Sequence, residues 1–266
     1  MDKFKRGIKT FFIIMAFVLI NVLIDALTGA LVPSLIAILM TGDPLNSIDY
    51  LAYGLLAGQL VKFTILVFYI EKRDRTYRAL DKRYIQRGKL AEPIKLVGIG
   101  LGTVGFGLTF TNIIMKVFEN TELLKAAQDL MENAFNGVGI VSNLVIFIVA
   151  VVGAPIVEEL LFRGVLFEEI RNECSLKTTI FLTALVFGIY HFNIIQTPNT
   201  FFMGLVLAYV YYKTGTIRAP IIIHATNNIL ATIPIIDQGL TPLGITINIV
   251  LIVIGLYSLI TLRKIS

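Results

Sequence analysis

Residues 139–163 read Gly-Ile-Val-Ser-Asn-Leu-Val-Ile-Phe-Ile-Val-Ala-Val-Val-Gly-Ala-Pro-Ile-Val-Glu-Glu-Leu-Leu-Phe-Arg. The run is apolar over a length that suits a bilayer crossing, for which a helix needs about 20 apolar residues. It ends in two adjacent carboxylates, Glu158 and Glu159, and a guanidinium, Arg163. Ionisable groups in hydrocarbon cost from about 2.5 kcal/mol upward each, so they mark functional sites by default. The chain has 2 histidines, His191 and His224, and both also fall in strongly apolar segments.

Hydrophobic residues make up 56% of the 266 and charged residues 15%, with a mean hydropathy of +0.81. These values exclude an ordinary soluble domain. They define an all-α fold, a polytopic membrane helix bundle with about eight transmembrane helices. The expected spans are about 8–40, 47–70, 94–116, 139–163, 177–192, 199–213, 217–236 and 241–262. The first contains Gly29 and Pro33, so a kink or strong tilt is expected there. Its basic start resembles that of a signal peptide. The apolar run continues to about Met40 without a small-residue cleavage site, which reads as an uncleaved helix.

Charge placement orients the spans. Lys3, Lys5, Arg6, Lys9, the basic segment 71–95, Lys213, Arg218, Arg263 and Lys264 all fall on one side of an eight-span arrangement. The opposite loops, 41–46, 117–138, 193–198 and 237–240, carry one basic residue, Lys125. The positive-inside rule then puts both termini in the cytoplasm. The compact chain reads as a multi-pass protein of a bacterial plasma membrane. The net charge of +5 belongs to these loops and not to a nucleic-acid surface, so no nucleic-acid partner is expected. The single cysteine, Cys174, excludes an intrachain disulfide and a cysteine-based zinc cluster.

Two loops read as amphipathic helices lying on the bilayer. In 71–87, Tyr77, Leu80 and Tyr84 share a face among basic residues. In 119–135, Leu123, Ala127, Leu130, Met131 and Ala134 do the same. The chain divides into an N-terminal set of helices with these two segments (1–138), a core carrying the polar residues (139–236) and a C-terminal helix (237–266). Asp25 and Lys62 are intramembrane charges in the first two spans and are expected to pair structurally.

Glu158 and Glu159, as helix neighbours, point about 100° apart and cannot share one task. Glu159 and Arg163 are spaced i, i+4 and can pair, which leaves Glu158 to face elsewhere. Glu168 and Glu169 read as a solvated pair nearer the cytoplasm. His224 and Asn228 share one helix face at i, i+4. Side by side they suit an oxyanion, or one metal ligand with a polar neighbour. Polar contacts between helices remain the structural alternative. The Thr214-Gly215-Thr216 turn can lie within a cavity, which would lower His224 into the membrane.

Glu158-Glu159-x-x-x-Arg163, Phe187-x-x-x-His191 and His224-x-x-x-Asn228, on successive hydrophobic helices, resemble the three motifs of the CPBP family. This family of intramembrane proteases includes the type II CAAX prenyl proteases and the bacteriocin-processing and self-immunity proteins. The resemblance covers about residues 139–236. It implies that Glu158 and His191 position and activate the attacking water, that His224 and Asn228 bind the oxyanion, and that Glu159 and Arg163 support the site. It also implies a membrane-associated peptide or protein as substrate. A zinc ion held by Glu158, His191 and His224 is one possible mechanism, and metal-free, glutamate-dependent hydrolysis is the other. A non-catalytic immunity or interaction protein is an alternative, and a transporter using Asp25 and Lys62 is a more distant one.

Overall fold

The computed structural model describes residues 3–79, 92–135, 139–233 and 236–263, and among them every regular element is helical. In chain order these are α1 (Lys3–Thr41), a 3-10 turn (Pro44–Tyr50), α2 (Leu51–Ala79), α3 (Pro93–Val117) and α4 (Glu122–Phe135). A long helical run follows: α5 (Gly139–Ile148), a π-helical turn (Val149–Gly153), α6 (Ala154–Glu159), a second π-helical stretch (Leu160–Phe167) and α7 (Glu168–Glu173). Then come α8 (Leu176–Ile189), α9 (Gln196–Thr214), α10 (Arg218–Ala231) and α11 (Pro242–Thr261).

Among the described residues, five helical runs are long and apolar enough to cross a membrane: Gly7–Thr41, Pro44–Thr76, Pro93–Val117, Gly139–Glu173 and Pro242–Thr261. The other three expected spans are helices as well, at the expected places. They are shorter: α8 and α10 have 14 residues and α9 has 19. A 14-residue helix rises only about 21 Å, against a hydrocarbon core of about 30 Å. The chain is a multi-pass helical membrane protein.

The chain forms two compact units, Met1–Lys82 with Leu130–Leu161, and Arg83–Asp129 with Phe162–Ser266. In the first unit, α2 packs on α1 and α5. Its glycines 54 and 58, one turn apart, let the α1 backbone come close. A Cβ on Gly54 would lie 2.9 Å from both the Pro33 ring and the Thr28 carbonyl, and one on Gly58 would lie 2.8 Å from the Thr28 hydroxyl. One further turn along, Lys62 reaches Asp25. The expected pairing of these two charges is present.

In the second unit, α3 is the helix between neighbours. Gly102 faces Gly255 of α11, where an added Cβ would stand 2.6 Å from the Gly255 Cα. Gly105, on the same side, faces the Asn248 carbonyl at 2.7 Å. Gly100 turns the other way, onto Thr226 of α10, and Gly107 onto the Asn199 side chain of α9. A glycine stripe on two faces thus lets α3 sit close to three helices at once. At its start Glu92 accepts hydrogen bonds from Lys95 Nζ and from the Arg263 backbone N–H (2.9 Å), and Lys95 Nζ also donates to the Thr261 carbonyl (2.7 Å). These bonds tie the start of α3 to the end of α11.

Two sequence expectations change, at 71–87 and at Glu168. The segment 71–87 does not begin a separate surface helix: α2 continues to Ala79, and residues 80–87 lie outside the described residues. The 119–135 segment does form a helix, α4, in which Leu124 and Ala127 are buried and Leu123, on the face expected to meet the bilayer, is 55% exposed. The side chains of Leu130, Met131 and Ala134 lie outside the described residues. Glu168 is not solvated. It is buried, and its carboxylate accepts a 2.8 Å hydrogen bond from the Tyr211 hydroxyl. The cause is local packing: Phe167 meets the Tyr211 ring edge-on at 5.2 Å, which draws the start of α7 against α9.

Candidate active site

Glu158 and Glu159 close α6 in the first unit. Glu159 is fully buried and Glu158 half-buried, so the adjacent carboxylates do face different surroundings. Immediately after them the backbone changes from α to π geometry, over Leu160–Phe167. Such π segments inside α-helices recur at functional sites, because the wider turn re-aims the side chains it carries. Arg163 lies within it.

The other named residues belong to the second unit. Phe187 is their hub. The ring of His191, one turn further along the chain, meets the Phe187 ring edge-on at 5.1 Å between centroids, and the ring of His224 meets it at 5.7 Å. The Arg163 guanidinium lies 4.7 Å from the same ring's centroid and donates to the Gly204 carbonyl at 3.0 Å. Arg163 and Phe187 are fully buried and His224 nearly so. Three of the expected site residues, from the π segment, the turn after α8 and α10, therefore gather around one phenyl ring.

The tautomer of His191 follows from its neighbour. Nδ1 lies 2.9 Å from the Phe187 carbonyl, which can only accept, so Nδ1 is the donor. In the neutral imidazole this leaves the lone pair on Nε2, the form suited to accept a hydrogen bond from water. His191 lies in the turn that follows α8, which ends at Ile189. Phe192 takes up a left-handed conformation (φ 48), and Asn193 holds the turn. Asn193 accepts from the backbone N–H groups of Ile195 (2.8 Å) and Gln196 (3.3 Å) and donates to the Ala127 carbonyl of α4 (3.0 Å). Non-glycine residues at positive φ persist where surrounding structure over-determines them, and they cluster at functional sites.

His224, Asn227 and Asn228 ride on α10, which α3 supports. The Thr103 hydroxyl of α3 lies 3.1 Å from Asn227 Oδ1, and Asn227 Nδ2 donates to Asn228 Oδ1 at 3.4 Å. Sequence reasoning missed Thr103 and Asn227. The available signals were a second carboxamide beside Asn228 in an apolar helix, and the glycine stripe Gly98, Gly100, Gly102, Gly105, Gly107, which forecasts close backbone approach.

Among the described residues, no three His, Cys, Asp or Glu side chains are grouped so as to hold a metal ion. Of the three candidate zinc ligands, Glu158 belongs to the first unit and His191 and His224 to the second.

The fold and the site define a class: multi-pass helical membrane proteins whose paired glutamates and two histidines sit on successive apolar helices. Residues 140–230 match the type II CAAX prenyl endopeptidase Rce1-like family. The resemblance read from the three motifs holds, and all three lie within the matched stretch. The chain is similar to the "Membrane-embedded CAAX protease MroQ" of Staphylococcus aureus (strain USA300). The two are 33% identical over 91 residues, which cover 31% of this chain and 36% of that protein. It is also similar to the "Putative membrane peptidase YdiL" of Bacillus subtilis (strain 168). Here the identity is 29% over 90 residues, covering 34% of this chain and 36% of that protein. The chain thus spans about a third of the length of these curated relatives. No solved structure matches it significantly.

Proposed function

We propose that the protein is an intramembrane endopeptidase that hydrolyses a peptide bond of a membrane-associated peptide or protein. The observation that carries this reading is the gathering of His191, His224 and Arg163 around Phe187, within a stretch that matches the Rce1-like family. The names of both similar proteins, a CAAX protease and a membrane peptidase, support it.

In this mechanism Glu158 is the general base. Its carboxylate takes a proton from water, whose position His191 Nε2 fixes by accepting the second hydrogen bond. The oxygen of that water attacks the carbonyl carbon, and the oxyanion that forms receives hydrogen bonds from His224 and Asn228. Collapse breaks the carbon–nitrogen bond, and the proton held by Glu158 passes to the leaving amine. Glu159 and Arg163 hold the fold around these groups. The chemistry is glutamate-dependent and needs no metal. The substrate is processed in the manner of CAAX proteins, bacteriocin leaders or peptide pheromones, in a bacterial membrane with both termini of the enzyme cytoplasmic. The rival transporter reading loses support, because Asp25 and Lys62 are engaged with each other at 2.7 Å.

The test is incubation of the purified, liposome-reconstituted protein with a membrane-peptide library in H2(18)O. New peptide carboxylates that carry one 18O atom support hydrolysis. Intact peptides after prolonged incubation favour the non-catalytic immunity or interaction protein.

A further inference from the structure

We propose that Asn227, held by Thr103, is a positioning residue that sets which edge of the Asn228 carboxamide faces the substrate. The inference rests on the hydrolytic reading above, and it concerns residues outside the three motifs.

A carboxamide has a donating and an accepting edge of nearly the same shape. Turning Asn228 over would place an oxygen, not an N–H, against a developing oxyanion, and attraction would become repulsion. An oxyanion donor therefore needs its amide locked by a neighbour. Asn227 supplies that neighbour. It is buried on α10 next to the half-buried Asn228, and its Nδ2 donates to Asn228 Oδ1 at 3.4 Å. With Oδ1 so engaged, Nδ2 is the edge of Asn228 turned away from Asn227.

Asn227 has the same ambiguity, and Thr103 resolves it. The hydroxyl lies 3.1 Å from Asn227 Oδ1 and 2.7 Å from the Gly100 carbonyl. Its single proton is shared between these two acceptors in a three-centre bond. This presents a donor to Asn227, so the Asn227 oxygen faces Thr103 and its NH2 faces Asn228. The contact requires α3 and α10 to lie close, and Gly100 permits that: a Cβ there would stand 2.6 Å from the Thr226 Cβ. The helix that family resemblance leaves unexplained is thereby tied to the oxyanion site.

The experiment is a double-mutant cycle on a fluorescence-quenched version of the library peptide that the wild type cuts fastest, with the full-length protein in liposomes. Thr103→Val and Asn227→Leu each lower kcat about three- to tenfold with KM unchanged, as expected for one neutral hydrogen bond. Thr103→Ser restores the rate. In an Asn228→Ala background neither substitution has any further effect. A merely structural role gives equal losses in both backgrounds and overturns the proposal. If Asn228→Ala itself leaves kcat intact, the oxyanion assignment fails and the positioning role fails with it. A readout independent of turnover is the side-chain NH2 signal of Asn228 in 15N-asparagine-labelled protein. It shifts in Thr103→Val and Asn227→Leu, and an unmoved signal contradicts the proposal whatever the activity.

Discussion

Asp25 of α1 and Lys62 of α2, 37 residues apart in the chain, form a two-pronged ion pair at 2.7 and 2.9 Å. Lys62 is buried while Asp25 is 40% exposed. Removing one partner strands the other charge. Lys62→Met alone should therefore lower stability, near the low end of about 3–5 kcal/mol because Asp25 is half-open. The double replacement Asp25→Leu/Lys62→Met should recover most of that loss. Thermal unfolding in detergent measures both. A double variant as unstable as the single one would show that the pair does more than neutralise itself.

Gly102 and Gly255 meet backbone to backbone where α3 crosses α11. A leucine at 102 forces the helices apart, and overpacking of this kind costs about 1–3 kcal/mol. Gly7, with open space around it, should accept alanine without loss. The comparison of the two melting temperatures separates a packing cost from a general intolerance of glycine replacement.

The Glu92 carboxyl is held below its ordinary range, first by the Lys95 hydrogen bond and then by the Arg263 backbone N–H, with the charges of both residues adding. Its folded pKa is below the unfolded one, so its contribution to stability is fully present above the ordinary glutamate range. It is lost as pH falls through the lowered folded value. Wild-type melting temperature should accordingly drop more steeply on acidification below about pH 4.3 than that of Glu92→Gln. Parallel curves would remove Glu92 from the account of the α3–α11 junction.

Much of this was legible in the sequence, and the reasons differ by element. The helices carrying Glu158, His191 and His224 announced themselves because charge and imidazole stand out in apolar runs. The Asp25–Lys62 pair was readable for the same reason. Glu168 was misread because a carboxylate beside a second one looks solvated, and only the fold brings Tyr211 to it. The π geometry at Leu160–Phe167 left no trace in hydropathy, since it alters hydrogen-bond register and not composition. Thr103 was invisible for a third reason: its partner, Asn227, lies 124 residues away, and a threonine in a membrane helix ordinarily bonds its own preceding turn.

The proposed mechanism uses Glu158 as its base and no metal, so prolonged dialysis against 1,10-phenanthroline should leave cleavage unchanged. Activity lost to the chelator and restored by zinc would contradict the metal-free mechanism.

The central claim is that Glu158 does chemistry while Arg163 holds structure, and turnover measured alongside melting temperature on Glu158→Gln tests it most directly. Glutamine keeps the size and much of the hydrogen bonding but cannot act as the base. The account predicts a loss of about 100- to 10,000-fold in kcat with the melting temperature nearly unchanged. Arg163→Ala, which removes a fully buried side chain from the Phe187 ring and the Gly204 carbonyl, should unfold at lower temperature. A Glu158→Gln protein that cleaves at the wild-type rate, or that loses activity only because it unfolds, would contradict the account.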